Sequence, residues 1–199
     1  MKIKFSREVR DLVISWLTIS IAFALVFSGG ILRGGLFNFA SFPLMFVISL
    51  FSVGTGFILH ELSHKYVAIH FGAHAEFRAW QTGLIFALFM ALFTGFVFAA
   101  PGAVYIYGHG ISSKKNGLIS LAGPVTNILI AFIALLLNPF SAGYSFVSTI
   151  LMFTFSINLW LATFNLIPIY PLDGSKVFSW NKLVWAVFFV PLALWTFIF

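Results

Sequence analysis

Two histidines four residues apart, His60 and His64 in the stretch HELSH, have the spacing of a metal site. On an α-helix this spacing rotates the two side chains by only about 40°, so both imidazoles lie on one face. They can therefore bind the same metal ion. Glu61 lies beside that face, where its carboxylate can hold a water molecule next to the metal. The stretch predicts two metal ligands and one general base.

This is the HExxH arrangement of zinc peptidases, in which the glutamate is the base. The pattern is weak by itself, because matches of five residues occur by chance in many helices. Here the chain has only five acidic residues, and an acidic residue in a membrane helix costs about 2.5 to 3.5 kcal/mol. The alternative is a polar patch at a helix end that reaches the lipid headgroups.

A two-histidine site needs a third protein ligand, and the chain has no cysteine, so this ligand must offer oxygen or nitrogen. Asp173 is the first candidate, since Pro168 and Pro171 interrupt a helix before it and Gly174 permits a tight turn after it. Its carboxylate could then reach a neighbouring helix. An ordinary Pro/Asp/Gly turn is the alternative. The other acidic residues are Glu8, Asp11 and Glu76.

Composition places these residues in a membrane protein. The chain is 61% hydrophobic and 8% charged, with a mean hydropathy of +1.05. A net charge of +6 could indicate nucleic acid, but the basic residues are scattered rather than clustered, so we predict no such partner. We predict an all-α polytopic protein that forms a single domain over residues 1–199, without a PDZ or CBS domain.

Six segments are long and apolar enough to be candidates for membrane spans. The first follows a basic N-terminus but no signal-peptide cleavage site, so we expect it to remain in the protein. The stretch AEFRAW, at 75–80, is predicted to be a short strand that could hold an extended substrate peptide. The six segments are 12–28, 42–66, 83–107, 118–137, 145–168 and 183–199.

The distribution of Lys and Arg indicates that the segment 83–107 does not cross. If all six segments cross, the basic residues divide almost evenly between the two sides. If 83–107 instead returns to the side that it left, every Lys and Arg except Arg33 shares the side of the N-terminus, which is then cytoplasmic. Thr94 and Gly95 interrupt the segment as a re-entrant hairpin requires. We predict about five transmembrane helices and one re-entrant segment.

Three motifs in order, HELSH, LAGPVTN (121–127) and NLIPIYPLDG (165–174), resemble the signatures of the site-2 protease family of intramembrane zinc metalloproteases. The resemblance covers about 55 to 180. It implies one zinc ion per chain, with Glu61 as catalytic base and Asn165 contacting the substrate amide. The implied zinc ligands are His60, His64 and Asp173, and the implied supporting residues are Gly123, Pro124, Asn127, Pro171 and Gly174.

Ligand geometry gives an independent reason for a re-entrant segment. The helix that carries HELSH and the helix before Asp173 must end on the same side of the membrane for the ligands to meet. An even number of crossings must separate them, and 118–137 and 145–168 supply two. The segment 83–107 therefore cannot be a third crossing.

The resemblance implies hydrolysis of a peptide bond in or near a transmembrane segment of a membrane-protein substrate, in the cell membrane, with access from the cytoplasm. One alternative is a non-catalytic membrane protein that uses the same ligands to transport a metal or to bind transmembrane segments as an adaptor. Another is a protease that cuts at the membrane surface. The sequence leaves the oligomeric state open.

Overall fold

The computed structural model describes residues 6–29, 37–97, 102–107 and 110–198. Most of them are helical, and a single two-stranded sheet accompanies the helices. The glycine-rich stretch SGGILRGG at 28–35, whose composition predicts a flexible turn, lies almost entirely outside the described residues. The first four secondary-structure elements are α1 (Arg7–Phe27), α2 (Phe42–His70), β1 (His74–Ala79) and α3 (Gln81–Thr94). The others are β2 (Gly102–Tyr107), α4 (Ser113–Leu137) with a 3-10 turn (Asn138–Ser141), α5 (Ser145–Asn165), α6 (Asp173–Trp180) and α7 (Lys182–Ile198).

Four helices in the described part of the chain are long and apolar enough to cross a membrane: α1, α2, α4 with its 3-10 turn, and α5. Helix α7 is apolar but has only 17 residues. The predicted class, a helical membrane protein, agrees with these lengths and compositions. The count of about five spans stays a prediction.

The described residues divide into two units. The first unit consists of Met1–Ile58 and Glu76–Tyr105, and the second of Leu59–Ala75 and Ile106–Phe199. In the first unit α1 packs against α3. The indole of Trp16 in α1 donates a hydrogen bond to the carbonyl of Leu50 at 3.0 Å. A Cβ atom on Gly54 would overlap that indole, so a glycine at 54 permits the close approach of α1 and α2.

The predicted re-entrant segment contains a short helix and a strand instead of one long helix. With 14 residues, α3 is about 21 Å long, which is less than the roughly 30 Å of a bilayer core. It ends where the sequence predicts, at Thr94, and Gly95 follows in the left-handed conformation with φ 67°. Strand β1 before α3 pairs with β2 after it, so the chain returns to the place where α3 began. This return favours a re-entrant path, which stays a prediction.

The predicted strand is present as β1, and carboxylates occupy one of its edges. The N–H of Phe77 donates to Glu8 Oε1 at 3.1 Å, and the N–H of Ala79 donates to Asp11 Oδ2 at 3.4 Å. Alternate N–H groups of a strand point to the same edge, so these two belong to the edge that does not face β2. A substrate peptide would have to displace both carboxylates, which counts against strand addition at this edge.

In the second unit α4 packs against α5 and α6, and α7 packs against α5 and α6. Its core includes Ala131, Leu159 and Leu192. Helix α5 ends at Asn165, and the proline-containing stretch 166–172 is not helical, as the sequence predicts. Helix α6 then begins at Asp173.

Candidate metal centre

Three buried atoms converge in the second unit: Nε2 of His60, Nε2 of His64 and Oδ2 of Asp173. The two nitrogens are 3.0 Å apart, and the oxygen lies 3.3 Å from His60 and 3.0 Å from His64. The three residues are 5%, 7% and 9% exposed. Within the described residues, they form the one group of three or more His, Cys, Asp or Glu side chains that could share a metal ion. The structure therefore brings together the three predicted ligands.

Helix geometry and one close contact produce this convergence. The two histidines share a face of α2 because they are four residues apart. Asp173 is the first residue of α6, and the next residue, Gly174, lies against the carbonyl of Leu166 so closely that a Cβ atom would overlap it. The prediction of a tight turn at Gly174 is therefore wrong. Gly174 is helical, and its lack of a side chain lets α6 begin beside the end of α5.

Oxygen acceptors determine which nitrogen of each imidazole carries the proton. His60 Nδ1 donates to Asn127 Oδ1 at 2.5 Å, and His64 Nδ1 donates to the carbonyl of Ile119 at 2.7 Å. Since Nδ1 is the donor in both rings, Nε2 of each ring presents a lone pair when the imidazole is neutral, which is the form that binds a metal. These lone pairs face each other and Asp173.

This cluster fits a zinc ion. Two lone pairs and a carboxylate oxygen within 3.0 to 3.3 Å of one another repel unless a cation lies between them. A tetrahedral zinc ion with ligands at about 2.0 to 2.1 Å holds those ligands about 3.3 Å apart, close to the observed separations. Asp173 offers an oxygen ligand, and an aspartate must be ionised to bind a metal.

Helix α4 passes directly beside the cluster. A Cβ atom on Gly123 would lie 2.5 Å from Nε2 of both His60 and His64, so only glycine leaves these two converging nitrogens accessible. Pro124 is buried inside α4, and Asn127 is the hydrogen-bond partner of His60. The structural role that the resemblance implies for the three residues stays a prediction.

The predicted catalytic residues are less completely defined. Glu61 is buried, 8% exposed, and is next to His60 in α2, but its carboxylate is not one of the three converging atoms. Asn165 is the last residue of α5, and its side-chain N–H donates to the carbonyl of Leu161 at 2.9 Å. Asn165 could alternatively serve only as a helix-capping amide near Pro168, and this bond is consistent with that alternative. Pro171 lies in the non-helical stretch before Asp173, after a cis peptide bond.

Sequence reasoning missed two residues beside the centre. Asn158 in α5 is completely buried and accepts a hydrogen bond from Asn127 at 2.8 Å. An asparagine amid apolar residues in a predicted span is costly enough to have been noticed. The ammonium of Lys176 lies 3.5 Å from Oδ1 of Asp173, three residues earlier. The ion pair between Lys176 and Asp173 depends on the helical spacing of α6, and no pattern in the sequence predicted that helix.

Comparisons with known proteins agree with this geometry. A protein of Methanocaldococcus jannaschii named "Putative zinc metalloprotease" is 45% identical over 187 residues, which are 94% of this chain and 91% of that protein. A protein of Bacillus subtilis with the same descriptive name is 34% identical over 61% of this chain and 63% of its own length. Stage IV sporulation protein FB of Bacillus subtilis is 31% identical over 60% of this chain and 35% of its own length.

No protein-family model matches the chain, and no solved structure matches it. The similarity to the first relative covers nearly the whole of both proteins and includes all three motifs of this chain. Apolar helices of spanning length accompany this similarity. The chain therefore belongs to the site-2 protease family of membrane zinc metalloproteases.

Proposed function

We propose that this protein hydrolyses a peptide bond within or near a transmembrane segment of a membrane-protein substrate. The observation that carries the proposal is the convergence of His60, His64 and Asp173 at the level of single atoms. Two of the three ligands belong to an apolar helix of spanning length. A metal centre on such a helix is suited to a substrate that is also in the membrane.

One zinc ion would be held by His60, His64 and Asp173. When bound, zinc supplies Lewis acidity, which lowers the pKa of water and polarises a carbonyl group. Three protein ligands leave one position of a tetrahedral ion open, as in catalytic zinc sites. Asn127 and the carbonyl of Ile119 orient the two imidazoles through their Nδ1 atoms.

Glu61 is the proposed general base. Its carboxylate accepts a proton as water attacks the scissile carbonyl and then donates a proton to the leaving nitrogen. Asn165 is proposed to hold the substrate amide through the hydrogen-bonding capacity that its bond to Leu161 leaves available. Both roles follow from the positions of these residues in the family motifs.

The position of the histidines in α2 supports cleavage near the membrane. Helix α2 has 29 residues, a length of about 43 Å, and His60 is the nineteenth of them. The 18 residues before His60 extend about 27 Å, almost the thickness of a bilayer core. The site is then near one end of the span. We propose that this end is cytoplasmic, because a re-entrant segment places every Lys and Arg except Arg33 on that side.

A helical substrate must unwind before cleavage, because its carbonyls are hydrogen-bonded along the helix. We therefore expect substrates with Gly or Pro near the cut to be cleaved faster than a polyleucine helix. Equal cleavage of both would contradict this requirement.

The decisive experiment compares Glu61→Gln with the wild type in liposomes that contain a single-span test substrate. We expect the variant to keep bound zinc and to lose cleavage, since it keeps all three ligands but has no base. Glu76→Gln is the matched control, because Glu76 pairs with Arg78 at 2.6 Å in the first unit. Unchanged cleavage by Glu61→Gln would contradict its role as base, whereas zinc flux without cleavage in the wild type would indicate a transporter.

A further inference from the structure

A chain of hydrogen bonds joins the metal centre to α5 through the two asparagines Asn127 and Asn158. Nδ2 of Asn127 donates to Oδ1 of Asn158 at 2.8 Å, and Nδ2 of Asn158 donates to the carbonyl of Thr154 at 2.9 Å. At the other end, Oδ1 of Asn127 accepts from Nδ1 of His60. Both asparagines are completely buried.

The carbonyl of Thr154, at the end of this series of hydrogen bonds, determines the direction of every bond in the series. The carbonyl of Thr154 can only accept, so it must face the NH₂ group of Asn158. The oxygen of Asn158 then faces Asn127 and requires the NH₂ group there. The oxygen of Asn127 is left facing His60, which must donate from Nδ1. A backbone carbonyl of α5 thus determines that Nε2 of His60 has a lone pair for the metal.

The opposite orientation would prevent metal binding. If the amide of Asn127 rotated by half a turn, its NH₂ group would face Nδ1 of His60, and that nitrogen would have to accept. The proton of the neutral imidazole would then be on Nε2, where the metal must bind. Asn158 opposes this rotation, because it would bring the oxygens of Asn127 and Asn158 together.

We propose that Asn158 is a positioning residue of the metal centre, which acts through Asn127 to hold His60 in its metal-binding tautomer. The inference rests on the proposed function only in requiring that the centre binds zinc. It differs from a purely structural role, in which Asn158 would only stabilise the packing of α4 on α5. Packing alone would affect the stability of the protein without a specific effect on zinc.

The test measures the zinc dissociation constant of the full chain in detergent by competition with a chromophoric chelator, together with the melting temperature of the metal-free protein. Loss of a group that orients a metal ligand costs about 10-fold to 100-fold in affinity, and we expect this loss in Asn158→Leu. Asn158→Asp should keep affinity near the wild-type value, because a buried, protonated carboxyl group can donate its O–H to the carbonyl of Thr154 and accept from Asn127 through its other oxygen. Should Asn158→Leu not fold, Asn158→Ser replaces it, since its hydroxyl is too short to reach Asn127.

Thr163→Val is the matched control. Thr163 is also buried in α5, but its hydroxyl bonds to Leu159 and Thr196, away from the centre. This variant removes a buried polar group from the same helix at similar volume, and its zinc affinity should equal that of the wild type. Equal losses of affinity in Thr163→Val and Asn158→Leu would show a general structural effect and overturn the proposal.

A double variant tests the route through Asn127. Since Asn158 acts only by orienting Asn127, adding Asn158→Leu to Asn127→Leu should not weaken zinc binding further. Independent, multiplied losses would overturn the proposal, and so would an unchanged affinity in Asn158→Leu. A wild-type protein that binds no zinc would instead contradict the proposed function.

Discussion

The two units of this protein use their carboxylates in different ways. In the first unit, Glu8 and Asp11 accept hydrogen bonds from the backbone of β1, and Glu76 pairs with Arg78. In the second unit, Asp173 faces two imidazole nitrogens, and Glu61 is buried next to one of those histidines. Of the five acidic residues in the chain, three lie in the first unit and two in the second.

The difference lies in the partners of each carboxylate. Backbone N–H groups and a guanidinium are donors that satisfy a carboxylate without any added ion. The nitrogens that face Asp173 present lone pairs, because their rings donate through Nδ1 to Asn127 and Ile119. Donors of the chain itself therefore satisfy the carboxylates of the first unit, whereas in the second unit Asp173 and the two imidazoles form a group that could share a cation. Four predictions test this comparison.

A comparison of the variants Asp173→Ala and Asp11→Ala is the strongest test of the difference between the two units. Zinc sites with four protein ligands gain about 10 to 16 kcal/mol, so one ligand is worth about 2.5 to 4 kcal/mol, or about 60-fold to 700-fold in affinity. We expect this loss of zinc affinity, and loss of cleavage, in Asp173→Ala. Asp11→Ala should keep the wild-type zinc affinity in the same chelator titration. Comparable losses in both variants would contradict the division between the two units.

Gly123→Ala should weaken zinc binding about 100-fold at most, somewhat less than loss of a ligand. The added methyl group would lie 2.5 Å from Nε2 of both His60 and His64, and α4 must shift to admit it. Gly143→Ala is a control in the same unit, because nothing lies within 4 Å of a Cβ atom there, although its φ of 93° adds backbone strain. Full zinc affinity in Gly123→Ala would mean that α4 does not line the metal centre.

Asn165→Leu should lower kcat about 10-fold and leave zinc affinity unchanged. A donor devoted to the transition state is worth about 10²-fold to 10³-fold in kcat, but one N–H of Asn165 already bonds to Leu161. Steady-state cleavage of the test substrate, with zinc content measured in parallel, separates the two effects. If zinc affinity falls while kcat per zinc-loaded protein is constant, Asn165 only shapes the site.

The smallest effect is expected for Glu8→Gln combined with Asp11→Asn. The amide oxygens still accept from β1, so each substitution should cost about 1 kcal/mol of unfolding free energy, the difference between a charge-assisted and a neutral hydrogen bond. Denaturant unfolding in detergent measures this cost. Zinc affinity should be unchanged, and a reduced affinity would show that the first unit contributes to the metal centre.

Local patterns in the sequence predicted much of the site. The spacing of His60 and His64 determines that they share a face, because the period of an α-helix is independent of the rest of the fold. Apolar composition predicted helices of spanning length, and four are present in the described residues. The break at Thr94 and the strand at β1 were also confirmed.

Other features could not be predicted because they depend on which side chains meet across different helices. From the residues alone, Asp173 was the first of four candidates for the third ligand, and an ordinary Pro/Asp/Gly turn was the alternative. Asn158 was missed because nothing local relates it to His60, and Gly174 was misjudged because its constraint is the distant carbonyl of Leu166.

The sequence by itself determined that this is a membrane protein with an HExxH helix and the motifs of a zinc metalloprotease, because composition and helical period act locally. Only the tertiary structure decided which carboxylate faces the two imidazoles and which amide sets the tautomer of His60. Those contacts follow from how α4, α5 and α6 approach one another, and a helix packs at a register that its own period does not specify.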